Sequence, residues 1–100
     1  MIQVSRAVAE ALAAGRPVVA LETSIVAQGL PAPHNLRAAF GCEDAIREAG
    51  AVPATVAVLA GRFKVGLERD EIEALAADET AVKVSARDLG WALATGRSGA

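Results

Sequence analysis

The segment VVALETSIVAQGLPAPHN, residues 18–35, decides the fold of this chain. Its first four residues are apolar and predict a strand that ends where Glu22 begins a polar stretch. A glycine, two prolines and an asparagine follow, which indicates a loop too stiff and too long for a simple turn. In open α/β sheets, ligands bind beyond the carboxyl ends of the strands, so an acid at this point favours a functional site.

Helical and extended patterns alternate on both sides of this segment. Four segments have helical spacing of apolar residues, and they begin near Ser5, Asn35, Glu68 and Ser85. Strands are predicted at residues 55–60 and 82–84, with an edge strand or hairpin arm at 62–65. The resulting order of helix, strand, helix, strand, helix, strand, helix predicts an α/β fold with a mainly parallel sheet covered by helices.

The composition indicates one small globular domain. The chain has 100 residues, 53% of them hydrophobic, and a mean hydropathy of +0.35, which suffices for a packed core. A net charge of −2 and few aromatic residues argue against a nucleic-acid surface. A single cysteine excludes an internal disulfide. Without a long apolar run or a signal-peptide core, the sequence favours a cytoplasmic protein with no membrane partner.

Two features predict that residues 1–100 are a fragment or one domain of a longer protein, with the rest of the fold beyond Ala100 or in a partner, and the resemblance described below implies the N-terminal portion of a single domain. Three main strands make a thin sheet. The last residues, TGRSGA at 95–100, contain neither a helix stop nor a polar tail.

Glu22 is the first candidate for chemistry. Between Leu21 and Ile25 its carboxyl group would be partly desolvated, and its pKa would then rise toward the range of a general acid. The alternative is a solvated carboxylate at a strand end, or one paired with a cation, and the pattern alone favours that alternative.

Lys83 is the second candidate, because a lysine between Val82 and Val84 has an apolar-lined stem and suits a bound phosphate. The alternative, which the pattern alone favours, is an edge-strand lysine that discourages aggregation. Ser85 and Asp88 have the spacing of a capping box, and a helix start beside Lys83 and Arg87 also suits an anion.

Four other residues have simpler interpretations. The only histidine, His34, is expected in a loop, and Cys42 is expected to be a small core residue. Glu43 is either a buried acid with a partner or the rim of an apolar helix face, and the rim is preferred. Gly41 in the middle of a predicted helix indicates close packing there.

Three segments of the chain resemble the pseudouridine-5'-phosphate glycosidase family. They are ALETSIVAQGLPAPHN at residues 20–35, GAVPATVAVLAGRFKVGL at 50–67 and KVSARDL at 83–89. They occur in the family's order and near its spacing, and the likeness extends over nearly the whole chain.

This resemblance implies an α/β/α sandwich, with helices on both faces of the sheet, that assembles into trimers. It implies reversible cleavage of the C–C glycosidic bond of pseudouridine 5'-phosphate to uracil and ribose 5-phosphate, with a divalent metal, typically Mn²⁺. By the same resemblance Glu22 is the proton donor and Lys83 a substrate-binding residue. The family's nucleophilic lysine and metal-binding aspartate match positions beyond Ala100, so no metal ligand is expected in this chain.

Three positions depart from the family's pattern: Thr23-Ser24 reverses its Ser-Thr pair, Gln28 replaces a histidine, and Ala86 replaces a basic residue. The rival prediction is a non-catalytic α/β module that binds a sugar phosphate or forms an oligomer interface.

Overall fold

The computed structural model describes residues 2–100. The helices are α1 (Arg6–Ala13), α2 (His34–Glu48), α3 (Arg69–Ala77) and α4 (Leu89–Ala94). The strands are β1 (Ile2–Val4), β2 (Val18–Leu21), β3 (Val52–Leu59) and β4 (Arg62–Val65). A π-helical segment (Ile25–Gly29) follows β2, and a 3-10 turn (Ala86–Asp88) precedes α4.

The four strands form one mixed sheet in the order β1-β4-β3-β2. The pairs β1–β4 and β2–β3 are parallel, and the hairpin β3–β4 is antiparallel. The predicted α/β class with a mainly parallel sheet is therefore confirmed, and residues 62–65 are the predicted hairpin arm.

Strand β3 is the centre of the sheet. Its first half, from Val52 to Thr55, pairs with β2, and its second half pairs with β4 on the other edge. All eight of its residues are buried or half-buried, and six of them, all except Pro53 and Thr55, have aliphatic side chains. This explains the continuous apolar pattern, because a strand covered on both faces has no solvent side.

Helices cover both faces of this sheet. On one face, Ala57 of β3 packs in a cluster with Ala39 of α2, Ile72 and Leu75 of α3, and Val26 of the π-helical segment. On the other face α1 contacts β2 and β3, and its buried Val8 lies outside that cluster. No helix within residues 2–100 is long and apolar enough to cross a membrane.

Three sequence predictions differ from the structure. Strand β1 was missed, because three exposed residues are too few to give a pattern. Residues 82–84 are not a regular strand, since only Val82 forms a β-bridge. Helix α2 begins at His34 rather than after an Asn35 cap, and the buried Asn35 amide instead donates to the Val26 carbonyl at 3.2 Å.

Gly66 and Gly41 make a matched pair of glycines for a stability test. Gly66 has φ +89°, and a Cβ there would overlap Ser5 and lie 2.8 Å from Val8 Cγ2. Gly41 lies mid-helix with nothing within 4 Å of an added Cβ, so the predicted close packing at Gly41 was wrong.

We expect Gly66→Ala to lower the free energy of unfolding by about 2 kcal/mol or more. We expect Gly41→Ala to raise it by about 1 kcal/mol, because alanine is the better helix former. Urea unfolding followed by circular dichroism measures both. Equal effects of the two changes would contradict the packing described at Gly66.

Candidate active site

Glu22 lies immediately after β2 and is exposed. Its Oε2 atom accepts a hydrogen bond from the Ser24 amide at 2.9 Å. The Ser24 side chain first, and its amide next, lower the pKa of Glu22 below the ordinary 4.5, while partial desolvation acts in the opposite direction. Glu22 is therefore a solvated carboxylate at the strand end, and its neighbours within the chain together lower its pKa rather than raise it.

Thr23 fixes the position of this acid. Its side chain is buried, with 2% of the residue exposed, and its hydroxyl donates to the Val56 carbonyl at 2.7 Å. Because β2 stops pairing with β3 at Leu21, this bond carries the connection between the two strands one step further. The sequence indicated two hydroxyl residues after Glu22 but not that one of them is an anchor.

Lys83 reaches the same region through residues 98–100. Val58 of β3 exchanges two backbone hydrogen bonds with Gly99, on the edge opposite β4. Residues 98–100 in turn bond to Val82 and Val84, with N–O distances of 2.9–3.1 Å. The edge of β3 that carries β2 thus continues into these two short extended segments, which bring Lys83 beside the end of β2.

A cavity of about 330 Å³ opens between these segments. Glu22 and Thr23 line it on one side and Lys83 and Ser85 on the other, with Val56, Val58, Phe63 and Leu89 among its apolar residues. The Lys83 charge contributes the smallest of the effects that lower the Glu22 pKa. The two predicted site residues therefore share one cavity, although their catalytic and binding roles stay predictions.

The capping box next to Lys83 is present. Asp88 Oδ2 accepts from the Ser85 amide at 3.0 Å and from the Ser85 hydroxyl at 2.7 Å, and the Ser85 side chain is the main cause of a lowered Asp88 pKa. Arg87 is exposed and does not line the cavity. The predicted anion site is thus reduced to Lys83 and the residues around it.

Three interpretations of single residues were wrong. Cys42 is exposed rather than a core residue, and His34 begins α2 instead of lying in a loop. Glu43 is buried with two partners, not at a rim, because Thr55 on β3 and Arg47 on α2 both donate to its carboxylate. The position of Glu43 between Phe40 and Ile46 on one helix face was the signal for burial.

The family resemblance implies a Mn²⁺ ion whose aspartate ligand matches a position beyond Ala100. Residues 2–100 contain no group of three His, Cys, Asp or Glu side chains that would hold a metal ion. The described residues thus do not form a site for such an ion by themselves.

The family model described as "Indigoidine synthase A like protein" matches residues 7–100. The chain belongs to this family. Among curated relatives, the pseudouridine-5'-phosphate glycosidase 2 of Rhizobium johnstonii is 54% identical over 96 residues, and a pseudouridine-5'-phosphate glycosidase of Rhodospirillum centenum is 58% identical over 93 residues. The resemblance found in the sequence is thereby confirmed.

Two solved structures have the same fold. The prealnumycin C-glycosynthase AlnA, crystallised in complex with ribulose 5-phosphate, is 44% identical with a TM-score of 0.85 over 100% of this chain. An indigoidine synthase A-like protein of Thermotoga maritima is 27% identical with a TM-score of 0.82 over 99% of this chain.

This member of the family spans less than a third of its relatives' length. It covers 31% of the Rhizobium johnstonii protein, 29% of the Rhodospirillum centenum protein and 32% of each solved structure.

We expect Ser24→Ala to raise the pKa of Glu22 toward 4.5, because the substitution removes the largest cause of the lowered value. NMR titration of the Glu22 carboxyl carbon measures this change. The lowered folded-state pKa stabilises the fold above the unfolded-state pKa, and that contribution is lost as pH falls through the folded value. Ser24→Ala should therefore reduce stability at pH 7 more than below the folded pKa.

Asp78, whose own pKa is lowered by Thr80, serves as the internal reference in the same titration. Its pKa should not change in Ser24→Ala. A Glu22 pKa that also stays unchanged would contradict the role given to Ser24.

Proposed function

We propose that this chain supplies part of an active site for reversible cleavage of the C–C glycosidic bond of pseudouridine 5'-phosphate to uracil and ribose 5-phosphate. The observation that carries the proposal is the single cavity lined by the Glu22 carboxylate and the Lys83 amine. The names of the relatives support this substrate, and the AlnA complex supports binding of a five-carbon sugar phosphate in this fold.

Lys83 is the binding residue in this proposal. It is exposed, it lines the cavity, and it forms none of the ion pairs found among residues 2–100. A free ammonium group at a cavity wall attracts a phosphate or a sugar oxygen, and anchoring one end of a substrate orients its reacting bond. Lys83 is not assigned as the nucleophile, because it does not match the family's nucleophilic position.

Glu22 is the proton donor in this proposal. A C–C glycoside has no heteroatom leaving group, so an acid has to deliver a proton to the ribose ring oxygen or to the departing carbon. In the described chain the carboxylate is held in its ionised form. The negative charge of a bound nucleotide phosphate would raise the pKa of Glu22 by repulsion, and coverage by other parts of the protein would raise it by desolvation. A proton donor at neutral pH requires such a raised pKa.

The other parts of the proposal rest on the resemblance alone. They are the Mn²⁺ requirement, the nucleophilic lysine beyond residue 100, a trimeric assembly and a cytoplasmic location. None of these four features is provided by residues 2–100.

A second candidate is a non-catalytic module that binds a sugar phosphate through Lys83. The observation that favours it is the ionised, exposed state of Glu22, which suits an electrostatic role better than proton donation. The two candidates differ in turnover, since both require a phosphate compound to bind near Lys83.

We expect Glu22→Gln, made in the longest natural protein that carries this chain, to lower kcat for uracil release by about 100-fold to 10,000-fold, the usual contribution of a general acid. The assay follows uracil formed from pseudouridine 5'-phosphate in the presence of Mn²⁺. Glu10→Gln removes another exposed carboxylate, from the Arg6–Glu10 pair on α1, and is the matched control.

Glu10→Gln should retain parental kinetics. Normal turnover of Glu22→Gln would remove Glu22 from the chemistry. Nucleotide binding without uracil release by the parent protein would favour the non-catalytic module.

A further inference from the structure

Glu43 is the one charged residue among the buried residues of the described chain, with 6% of its surface exposed. A carboxylate removed from water loses several kcal/mol of hydration unless charged or hydrogen-bonding partners replace it. Its two carboxylate oxygens do have partners: Oε2 accepts from the Thr55 hydroxyl at 2.5 Å, and Oε1 lies 3.3 Å from Arg47 Nη2. Arg47 is shared with the exposed Asp44, also at 3.3 Å.

The Thr55 bond joins α2 to the centre of the sheet. Thr55 is itself 3% exposed, and it lies in register with Leu21, the last residue of β2. Its carbonyl accepts from the amides of Gly66 and Leu67 at 2.9 Å each, where the chain leaves β4 for α3. One threonine therefore connects the end of β2, the middle of β3, the start of α3 and helix α2.

A second cavity lies next to the Glu43–Thr55 bond and is also lined by Glu22. It has a volume of about 320 Å³ and is lined by Glu22 and Thr23 after β2, by Cys42 of α2 and by Thr55 of β3. Because this cavity is lined by residues of both elements, the end of β2 and α2 do not pack closely against each other at this point. The polar bond from Glu43 to Thr55 spans the sheet–helix gap next to it.

Stability alone does not explain a buried carboxylate at this point. Apolar residues of similar volume often stabilise a protein as well as a buried polar pair or better, whereas a hydrogen-bonded pair also fixes one geometry. We infer that Glu43 is a positioning residue, which acts through Thr55 to hold the end of β2 and the Glu22 carboxylate against the cavity shared with Lys83. The catalytic consequence of this inference rests on the proposed function.

Two variants of Glu43 separate geometry from charge. Glu43→Asp keeps the negative charge but shortens the side chain by one methylene, which breaks or lengthens the Thr55 bond. Glu43→Gln removes the charge but keeps an oxygen that can accept from the Thr55 hydroxyl. A positioning role predicts that Glu43→Asp is the more harmful change, and an electrostatic role predicts the reverse.

The first readout is the NMR titration of Glu22 in this chain, which requires no enzymatic activity. Looser placement in Glu43→Asp weakens the bond from the Ser24 amide, so the pKa of Glu22 should rise and the Ser24 amide resonance should move. Glu43→Gln should leave the amide resonance in place. If Glu43 acted on Glu22 through its charge, Glu43→Gln would instead lower the Glu22 pKa, so the sign of the change distinguishes the two causes.

The second readout is kinetic and uses the longest natural protein that carries this chain. Glu43→Asp should lower kcat by about 10-fold to 100-fold, as small misplacements of reacting groups do, with KM changed by less than about twofold. Glu43→Gln should restore kcat to within about threefold of the parent. If the parent releases no uracil, the proposed function fails while the NMR readout still tests the positioning role.

An unchanged Glu22 titration and an unchanged Ser24 amide in Glu43→Asp would overturn the inference, as would a larger disturbance in Glu43→Gln. Should Glu43→Asp fail to fold, Thr55→Val removes the same hydrogen bond from the strand side with little change in side-chain shape. The expected and contradicting results for Thr55→Val are the same as for Glu43→Asp.

Discussion

The structure depends on the parallel pairing of β2 with the first half of β3, in the register that sets Leu21 beside Thr55. A shift of one residue would send the side chains of β2 to the opposite faces of the sheet. It would also separate the Thr23 hydroxyl from the Val56 carbonyl and move Glu22 away from its cavity. The pairing is short, and the Thr23 side chain extends it by one hydrogen bond beyond Leu21. The Thr55 side chain instead joins β3 to Glu43 of α2.

The same edge of β3 explains how distant parts of the sequence meet. Residues 98–100 continue the edge beyond β2, and residues 82–84 pair with them in turn. Glu22 and Lys83, which are 61 positions apart in the sequence, thus face each other across a cavity that begins where β2 ends. This agrees with the general location of ligand sites at the carboxyl ends of parallel strands.

Local patterns were sufficient for the parts of the fold that depend on neighbouring residues. Ser5 caps α1 by accepting from the Val8 amide, and the largely apolar β3 is a strand, as the sequence predicted. The sequence also indicated Glu22, which ends an apolar strand, and Lys83, which lies between two valines. The helical pattern placed Glu43 on the apolar face, but its burial was missed because its partner Thr55 is 12 positions away and does not belong to that helix. The ionised state of Glu22 depends on the conformation of Ser24, which no spacing rule describes.

In the proposed function, the ends of β2 and of residues 82–84 form one binding surface for a sugar phosphate. The most direct test is an NMR titration of this chain with ribose 5-phosphate, with inorganic phosphate as the control. On addition of ribose 5-phosphate, the amide resonances of residues 22–24 and 83–85 should shift together with a single dissociation constant. Inorganic phosphate should shift mainly those of residues 83–85. Shifts with ribose 5-phosphate confined to one of the two segments, or found only at β1 and α1, would contradict this binding surface.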